Sequence, residues 1–114
     1  KLEKLDENLF EQLTYLENLK FSSINVKFIA KNSFRNLRNL KHFELKYNRE
    51  VFKIANGAFN KLFNLKQLIL HHNHQIYFIK QDLDDNVSNR IIPDGFFDDL
   101  ISLEHLDLSS NGLE

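Results

Sequence analysis

The chain has 114 residues, 42% of them hydrophobic, which is enough for one modest core and too few for two domains. Its net charge is -1, and because Lys and Arg are interspersed with Asp and Glu, we expect no basic stripe that would bind a nucleic acid. The absence of cysteine excludes disulfides, thiolate zinc sites and cysteine nucleophiles.

Four copies of one apolar pattern follow each other along the chain. Each copy reads Phe-x-x-Leu-x-x-Leu-x-x-(Leu/Phe)-x-(Leu/Phe). The copies begin at Phe10, Phe34, Phe59 and Phe97, so they are 24, 25 and 38 residues apart. Another apolar residue lies five positions before each of these Phe residues, at Leu5, Ile29, Ile54 and Ile92. The repetition predicts a single unit, residues 1–114, of about four repeats.

The spacing inside each copy predicts a short strand. Apolar residues three apart could also form the buried stripe of an amphipathic helix. That alternative does not explain the last step of each copy, which is two residues long, as in a strand, and is then broken by Asn or Gly. We therefore expect a coil in which Leu-x-x-Leu-x-Leu forms a short parallel strand with inward Leu side chains. The Phe then returns on the opposite side to fill the same core.

Two sets of residues are expected to be structural. The bulky side chains at the start of the copies should stack as a Phe spine, each burying roughly 150 to 250 Å². The members of this spine are Phe10, Phe34, Phe59 and Phe97. An Asn three residues after the last apolar position can bond the main chain at the corner after each strand. This Asn ladder consists of Asn48, Asn73 and Asn111, while Ile24 takes its place in the first copy.

The pattern resembles the leucine-rich repeat family. The segment Leu103-Glu-His-Leu106-Asp-Leu108-Ser-Ser-Asn111-Gly-Leu113 matches that family's strand motif without a gap. The preceding Ile92-Pro-Asp-Gly-Phe-Phe97-Asp-Asp-Leu100 resembles the convex segment of the typical class, which occurs in Toll-like receptors, small proteoglycans and neuronal adhesion proteins. Similar repeats occur in arthropod immune proteins. The resemblance implies an α/β-type solenoid: a right-handed coil with a short parallel concave sheet and an irregular or short-helical convex side.

The outward side chains of the predicted strands form the candidate ligand-binding face. Alignment of the copies groups them into columns of mixed polar residues, with Tyr47 and Ile69 as apolar exceptions. A tyrosine beside an exposed isoleucine can anchor a protein ligand, and the alternative is an ordinary solvated surface with two stray apolar groups. The candidate residues are His42, Glu44, Lys46, Tyr47, Gln67, Ile69, His71, His72, His105 and Asp107.

The histidines of this face suggest two further hypotheses. The run His71-His72-Asn73-His74, with His42 and His105 on neighbouring strands, could bind a transition metal or change charge between pH 5 and 8. Consecutive strand residues point to opposite faces, and no carboxylate column completes a ligand set. We therefore expect no metal site and no cofactor, while pH-sensitive binding stays open.

The long third interval contains an insert at about residues 80–91. It is polar, acidic and rich in turn formers, so we expect it to leave the coil as an exposed loop. Asn86-Val87-Ser88 within it is a glycosylation sequon, although one such tripeptide can also occur by chance.

Protein binding is the function that the resemblance implies, in a secreted or cell-surface receptor or adhesion protein, with innate immunity as one role. The expected partner is a protein ligand or co-receptor, and the expected location is extracellular or at the cell surface. An intracellular scaffold is the alternative, because cysteine-free repeats also suit reducing compartments. Since the sequence has no Gly-rich phosphate loop, nucleophile elbow or metalloprotease motif, we expect no enzyme.

The two ends of the chain carry the last expectations. No apolar stretch approaches the roughly 18 residues that span a bilayer, so no transmembrane segment is expected. The sequence begins and ends within the repeat pattern and lacks the cysteine-rich caps of extracellular members, which indicates a segment of a longer solenoid. Exposed repeat ends should make it marginally stable or self-associating.

Overall fold

The chain alternates short strands with turns. The computed structural model describes residues 4–23, 25–49, 51–73, 75–79, 88–89 and 92–109. The strands in these ranges are β1 (Lys4–Leu5), β2 (Asn18–Ser22), β3 (Phe28–Ile29), β4 (His42–Lys46), β5 (Val51–Ala55), β6 (Gln67–His71), β7 (Gln75–Ile79), β8 (Ser88–Asn89) and β9 (His105–Asp107). One turn of 3-10 helix, Glu7–Leu9, follows β1. No helix in the described part is long and apolar enough to cross a membrane.

The strands alternate between two sheets. β2, β4, β6 and β9 form a four-stranded parallel sheet in that order. β1, β3, β5 and β7 form a second parallel sheet, to which β8 adds an antiparallel edge strand. Each turn of the chain gives one strand to each sheet, so the predicted solenoid is confirmed. Its turns are named coil 1 (residues 4–23), coil 2 (25–49), coil 3 (51–73) and coil 4 (75–79 and 92–109).

The five-stranded sheet differs from the irregular or short-helical convex side that the sequence predicted. Its longer segments, Val51–Ala55 and Gln75–Ile79, are rich in β-branched and aromatic residues, which favour strands. Coils of nearly equal length bring equivalent residues of these segments side by side, so that all five positions of β5 and β7 pair. Within the described residues, helix contributes one 3-10 turn and no α layer.

One hydrophobic core joins the inward side chains of both sheets. In the five-stranded sheet, the strand register aligns Leu5, Ile29, Ile54 and Phe78 in one row. The sequence had assigned the fourth position of this row to Ile92, which instead packs half-buried against the core. The reason is that β7 begins two residues after Asn73, so coil 4 keeps the regular interval as far as Ile79 and its extra residues come later.

The Phe spine follows the prediction in three coils and differs in the fourth. The ring centroids of Phe10 and Phe34 are 5.5 Å apart, and those of Phe34 and Phe59 are 5.6 Å apart. The next ring is that of Phe96, 6.1 Å from Phe59, and not that of the predicted Phe97. Phe96 is buried because β7 of the same coil supplies Phe78, whose ring lies 5.0 Å away. Phe97 is half-buried and contacts Phe96.

Two Asn side chains bond the main chain near the corners after β2 and β4 of the four-stranded sheet. Asn48 Oδ1 accepts from the Val26 N–H at 2.9 Å, and Asn48 Nδ2 donates to the Val26 carbonyl at 2.8 Å. Asn73 Oδ1 accepts from the Asn48 N–H, and Asn73 Nδ2 donates to the Leu45 carbonyl. Both side chains are buried, so these bonds satisfy main-chain groups that water cannot reach. Asn111 and Ile24 lie outside the described residues.

Part of the predicted insert is a strand and not a loop. β8 pairs antiparallel with the end of β7, Ser88 with Ile79 and Asn89 with Phe78. The chain therefore returns along the edge of the five-stranded sheet before it enters the second half of coil 4. Residues 80–87 and 90–91, including the sequon residue Asn86, lie outside the described residues.

Candidate functional site

The outward face of the four-stranded sheet consists of in-register columns. Strand pairing aligns Asn18, His42, Gln67 and His105 in one column. A second column contains Lys20, Glu44, Ile69 and Asp107, and a third contains Ser22, Lys46 and His71. These are the columns that the repeat alignment groups together. Neighbouring strands of a sheet are about 4.8 Å apart, so side chains of one column lie within reach of each other.

A polar network links four of the candidate residues across β4 and β6. His42 Nδ1 lies 2.5 Å from Gln67 Oε1, and His42 Nε2 lies 3.4 Å from Glu44 Oε1. The second carboxylate oxygen of Glu44 lies 3.2 Å from Lys46 Nζ. Because both oxygens that face the ring accept hydrogen bonds, only the imidazolium form of His42, with an N–H on each nitrogen, donates to both.

Glu44 lies at the centre of this network and is 16% exposed. Burial raises the pKa of its carboxyl group, but the hydrogen bonds with Lys46 and His42 and the positive charges of both residues outweigh it. The net result is a pKa below the ordinary value of 4.5. Glu44 is consequently ionised at neutral pH, and its charge is balanced within the face.

Asp107 forms a separate polar group at the β9 end of the face. Its Oδ1 accepts from the Ser109 hydroxyl at 2.6 Å and from the Ser109 N–H at 3.0 Å. These two bonds lower the pKa of Asp107 below 3.8, against the opposing effect of burial, and the charges of His71 and His105 add to the lowering. The carboxylate is held toward its own chain.

The two apolar exceptions occupy different parts of the face. Tyr47 directly follows β4, adopts a left-handed backbone with φ of 58°, and is 47% exposed. Its ring lies 5.5 Å from that of His72 and 6.4 Å from that of His71. Ile69 is half-buried between Glu44 and Asp107, so the expectation of an exposed isoleucine is wrong. Tyr47 is therefore the large exposed aromatic side chain of the face.

His71 and His72 lie on the same side of the sheet, although consecutive strand residues normally point to opposite sides. His71 ends β6, and His72 leaves the strand with a left-handed φ of 57° that turns its ring back. The two Nδ1 atoms are 2.6 Å apart, so one ring donates to the other. Among the described residues, no group of three or more His, Cys, Asp or Glu side chains could hold a metal ion. His74 is outside them.

A second set of Asn side chains, missed in the sequence, joins the coils beside the face. Asn39 Nδ2 donates to the Thr14 carbonyl at 3.0 Å, and Asn64 Nδ2 donates to the Arg38 carbonyl at 2.9 Å. Both Asn residues directly precede the third apolar position of their copies, which is the signal that could have revealed them. These bonds reinforce the coil stacking that keeps the columns in register.

Comparison with known proteins agrees with this architecture. Residues 1–83 match the family described as BspA type leucine rich repeat region, six copies. The match covers coils 1 to 3 and β7, and the second half of coil 4 lies beyond it. No curated protein matches the chain. Since the family model covers well over half of the sequence and the coils stack in register, the chain belongs to the BspA-type leucine-rich repeat family.

Proposed function

We propose that this chain is a protein-binding module and that the outward face of its four-stranded sheet contacts the partner. The observation that carries the proposal is the in-register alignment of polar side chains over three columns, with Tyr47 exposed beside them. Leucine-rich repeats are typical of protein-interaction modules. A stack of short coils offers a wide, open sheet to which many side chains contribute.

The polar network supports this proposal because it limits side-chain motion before a partner binds. Glu44 is held by Lys46 and His42, and His42 is held by Gln67. Side chains that are already ordered lose less conformational entropy on association. Tyrosine is enriched among the residues that dominate binding energies, since its large ring carries a polar hydroxyl. Tyr47 is therefore the proposed anchor of the partner, and the residues of the network make polar contacts around it.

No catalytic role is proposed for the same residues. The two carboxyl groups with lowered pKa, Glu44 and Asp107, are bonded to neighbouring side chains. They lie on an open sheet, whereas a catalytic acid or base needs a concave site that positions a substrate and excludes water.

The proposed setting is a secreted or cell-surface receptor or adhesion protein, with a protein ligand or co-receptor as partner. The strand motif near Leu103 and the sequon at Asn86 support it. An intracellular scaffold is the alternative, supported by the absence of cysteine. Intact-mass analysis of the chain secreted from eukaryotic cells separates the two: a glycan lost in Asn86→Gln favours the extracellular setting, and an unmodified Asn86 removes this support.

Site-specific photocrosslinking tests the binding face. A photoreactive phenylalanine analogue replaces Tyr47 in one variant and Tyr15 in the control, because Tyr15 is 70% exposed but lies outside the sheet. The expected result is a covalent protein adduct from the host extract at position 47 and none at position 15. Equal adduct formation at both positions would contradict the assignment of the face.

The network also supports pH-sensitive binding at this face. An imidazolium at position 42 can donate to Gln67 and Glu44 together, whereas a neutral ring can donate to one of them only. We expect the yield of the position-47 adduct to rise between pH 7.5 and 5.5 and to become insensitive to pH in this range in His42→Gln. A yield that does not change with pH in the unmodified face would refute this part of the proposal.

A further inference from the structure

The charged residues of the described chain are segregated by coil, although they look interspersed along the sequence. Coil 2 has seven Lys or Arg and one Glu, and coil 3 has three Lys and no acidic residue. Coil 1 has four acidic residues and two Lys, and coil 4 has five acidic residues and no Lys or Arg. The two basic coils are the inner ones, each with a stacked neighbour on both sides.

Most of these cations lie on one side of the inner coils. The turn side of a coil is the segment that follows its strand of the five-stranded sheet and precedes its strand of the four-stranded sheet. It consists of residues 30–41 in coil 2 and 56–66 in coil 3, and neither segment contains Asp or Glu. Of the seven cations of coil 2 and the three of coil 3, six lie on this side: Lys31, Arg35, Arg38, Lys41, Lys61 and Lys66.

Coil 1 neutralises two of the six. Arg35 Nε lies 2.6 Å from Glu7 Oε2, and Lys41 Nζ lies 3.4 Å from Glu17 Oε1. The main chain joins the same two coils, because the Lys41 N–H donates to the Glu17 carbonyl. The positive charge of coil 2 is therefore partly balanced on the side of coil 1.

Coil 4 does not balance the remaining charge in the same way. Arg38, Lys61 and Lys66 are exposed, and none of them forms an ion pair with a described residue. Asp99 Oδ2 accepts from the main-chain N–H of Lys61 at 2.9 Å, so this carboxylate is directed at the backbone. The Glu104 N–H donates to the Lys66 carbonyl, yet their side chains form no ion pair. Three ammonium or guanidinium groups thus stay available to a ligand.

An exposed aromatic ring lies among these three cations. Phe63 is 42% exposed, and Lys61 Nζ lies 5.9 Å from the centroid of its ring. Phe63 and Arg38 both lie four residues after the Phe that begins their copies, and Asn64 Nδ2 donates to the Arg38 carbonyl at 2.9 Å. Stacking therefore brings the two positions side by side. Arg38, Lys61, Phe63 and Lys66 together are named the basic patch.

The surroundings of the basic patch favour a short ligand over a long polyanion. Neighbouring strands are about 4.8 Å apart, so the two basic coils are together only about 10 Å wide. A polyanion that crosses the coils meets Glu17 on one side and Glu104 on the other, and like charges oppose its binding. The exposed ring of Phe63 also offers apolar surface, which a phosphate or sulfate group does not cover.

We propose that the basic patch binds a short acidic segment of a partner protein in which carboxylates flank an apolar side chain. The carboxylates pair with Arg38, Lys61 and Lys66, and the apolar side chain packs on Phe63. The patch lies on the turn side and not on the outward face of the four-stranded sheet, so this binding does not depend on Tyr47. Tyr15 lies on acidic coil 1, which repels the segment, and is outside the patch.

Titration of a labelled acidic peptide with the full chain tests the charged contacts. The probe is Gly-Asp-Glu-Phe-Glu-Asp-Gly, and fluorescence anisotropy reports its binding. Arg38→Gln/Lys66→Gln should weaken binding about fivefold, because two exposed ion pairs are removed. The matched control, Lys4→Gln/Lys53→Gln, makes the same charge change on the five-stranded sheet and should weaken binding less than about twofold.

A second peptide, with Ser in place of Phe, tests the apolar contact. The unmodified chain should bind the Phe peptide about fivefold more tightly than the Ser peptide, because only the Phe peptide buries apolar surface on Phe63. Phe63→Ser should bind both peptides equally. Circular dichroism checks that each variant keeps its fold, which is expected because the substituted side chains lie outside the core.

Four results would overturn the proposal. The first is no binding of the Phe peptide at millimolar concentration. The second is an equal loss in the patch variant and its control, since binding would then follow net charge. The third is a preference for the Phe peptide that survives in Phe63→Ser. The fourth is tighter binding of heparin or oligothymidylate than of the peptide, lost in Arg38→Gln/Lys66→Gln but unchanged in Phe63→Ser, since a polyanion would then occupy the patch.

Discussion

The main-chain N–H of Asn48 donates to the side-chain oxygen of Asn73 at 3.0 Å, across 25 residues of sequence. The side-chain oxygen of Asn48 in turn accepts from the main-chain N–H of Val26, at the start of the same coil. Buried Asn side chains therefore satisfy buried main-chain groups of coil 2, within the coil through Asn48 and from coil 3 through Asn73.

Replacement of Asn48 by Ala should destabilise the chain strongly. It leaves the N–H and the carbonyl of Val26 buried without partners, at a cost of about 1–3 kcal/mol for each group. Urea denaturation followed by circular dichroism measures the change in free energy of unfolding. Asn64→Ala is the matched control, because its amide donates to an exposed carbonyl, and it should cost no more than about 1 kcal/mol. Equal losses of unfolding free energy in Asn48→Ala and Asn64→Ala would show that burial of the bonded main-chain groups does not matter.

The Phe spine predicts unequal effects of two adjacent substitutions. Phe96→Ala removes a buried ring that contacts Phe59 and Phe78, so it should cost about 3–5 kcal/mol. Phe97→Ala removes a half-buried ring and should cost less than half as much. Thermal unfolding of the two variants provides the comparison. A larger loss of stability for Phe97→Ala than for Phe96→Ala would mean that Phe97, as the repeat pattern indicates, is the fourth residue of the Phe spine.

Glu44 should make the stability of the chain sensitive to acid. Its pKa in the folded chain is below 4.5, so its contribution is fully present above 4.5 and is lost as the pH falls through the lower folded value. An ion pair of this kind contributes about 0.2–1 kcal/mol. The difference in urea midpoint between wild type and Glu44→Gln should therefore be present at neutral pH and shrink toward pH 3. Glu11→Gln, which removes an exposed carboxylate, should show no such change.

Substitution by valine should affect stability differently at His71 and His72, because only His72 has a left-handed backbone conformation. His72 has φ of 57°, where a β-branched side chain is strained, so His72→Val should cost about 1–2 kcal/mol. His71 lies in β6, where valine is favoured, so His71→Val should change the unfolding free energy by less than about 0.5 kcal/mol. Urea midpoints of the two variants distinguish the sites. Comparable losses would mean that the corner backbone adapts to the substitution.

Sequence repetition by itself determined the solenoid, the four-stranded sheet and its columns. Neighbouring parallel coils of 24 or 25 residues bring equivalent positions together. His42 and Gln67, which are equivalent in the alignment of the repeats, are therefore also neighbours in the sheet. The Asn corners followed for a similar reason, since a polar residue repeated inside an apolar frame must bond buried main chain.

Only the tertiary structure decided the features that depend on local backbone turns or on contacts between coils. Phe96 takes the spine position predicted for Phe97 because Phe78 of β7 packs beside it. His72 lies on the same side of the sheet as His71 because its φ is positive. The second sheet forms only when the coils stack, because each of its short segments pairs with segments of neighbouring coils. The pairing of Glu7 with Arg35 spans 28 residues and becomes visible only when the coils stack, because stacking turns distance along the sequence into contact.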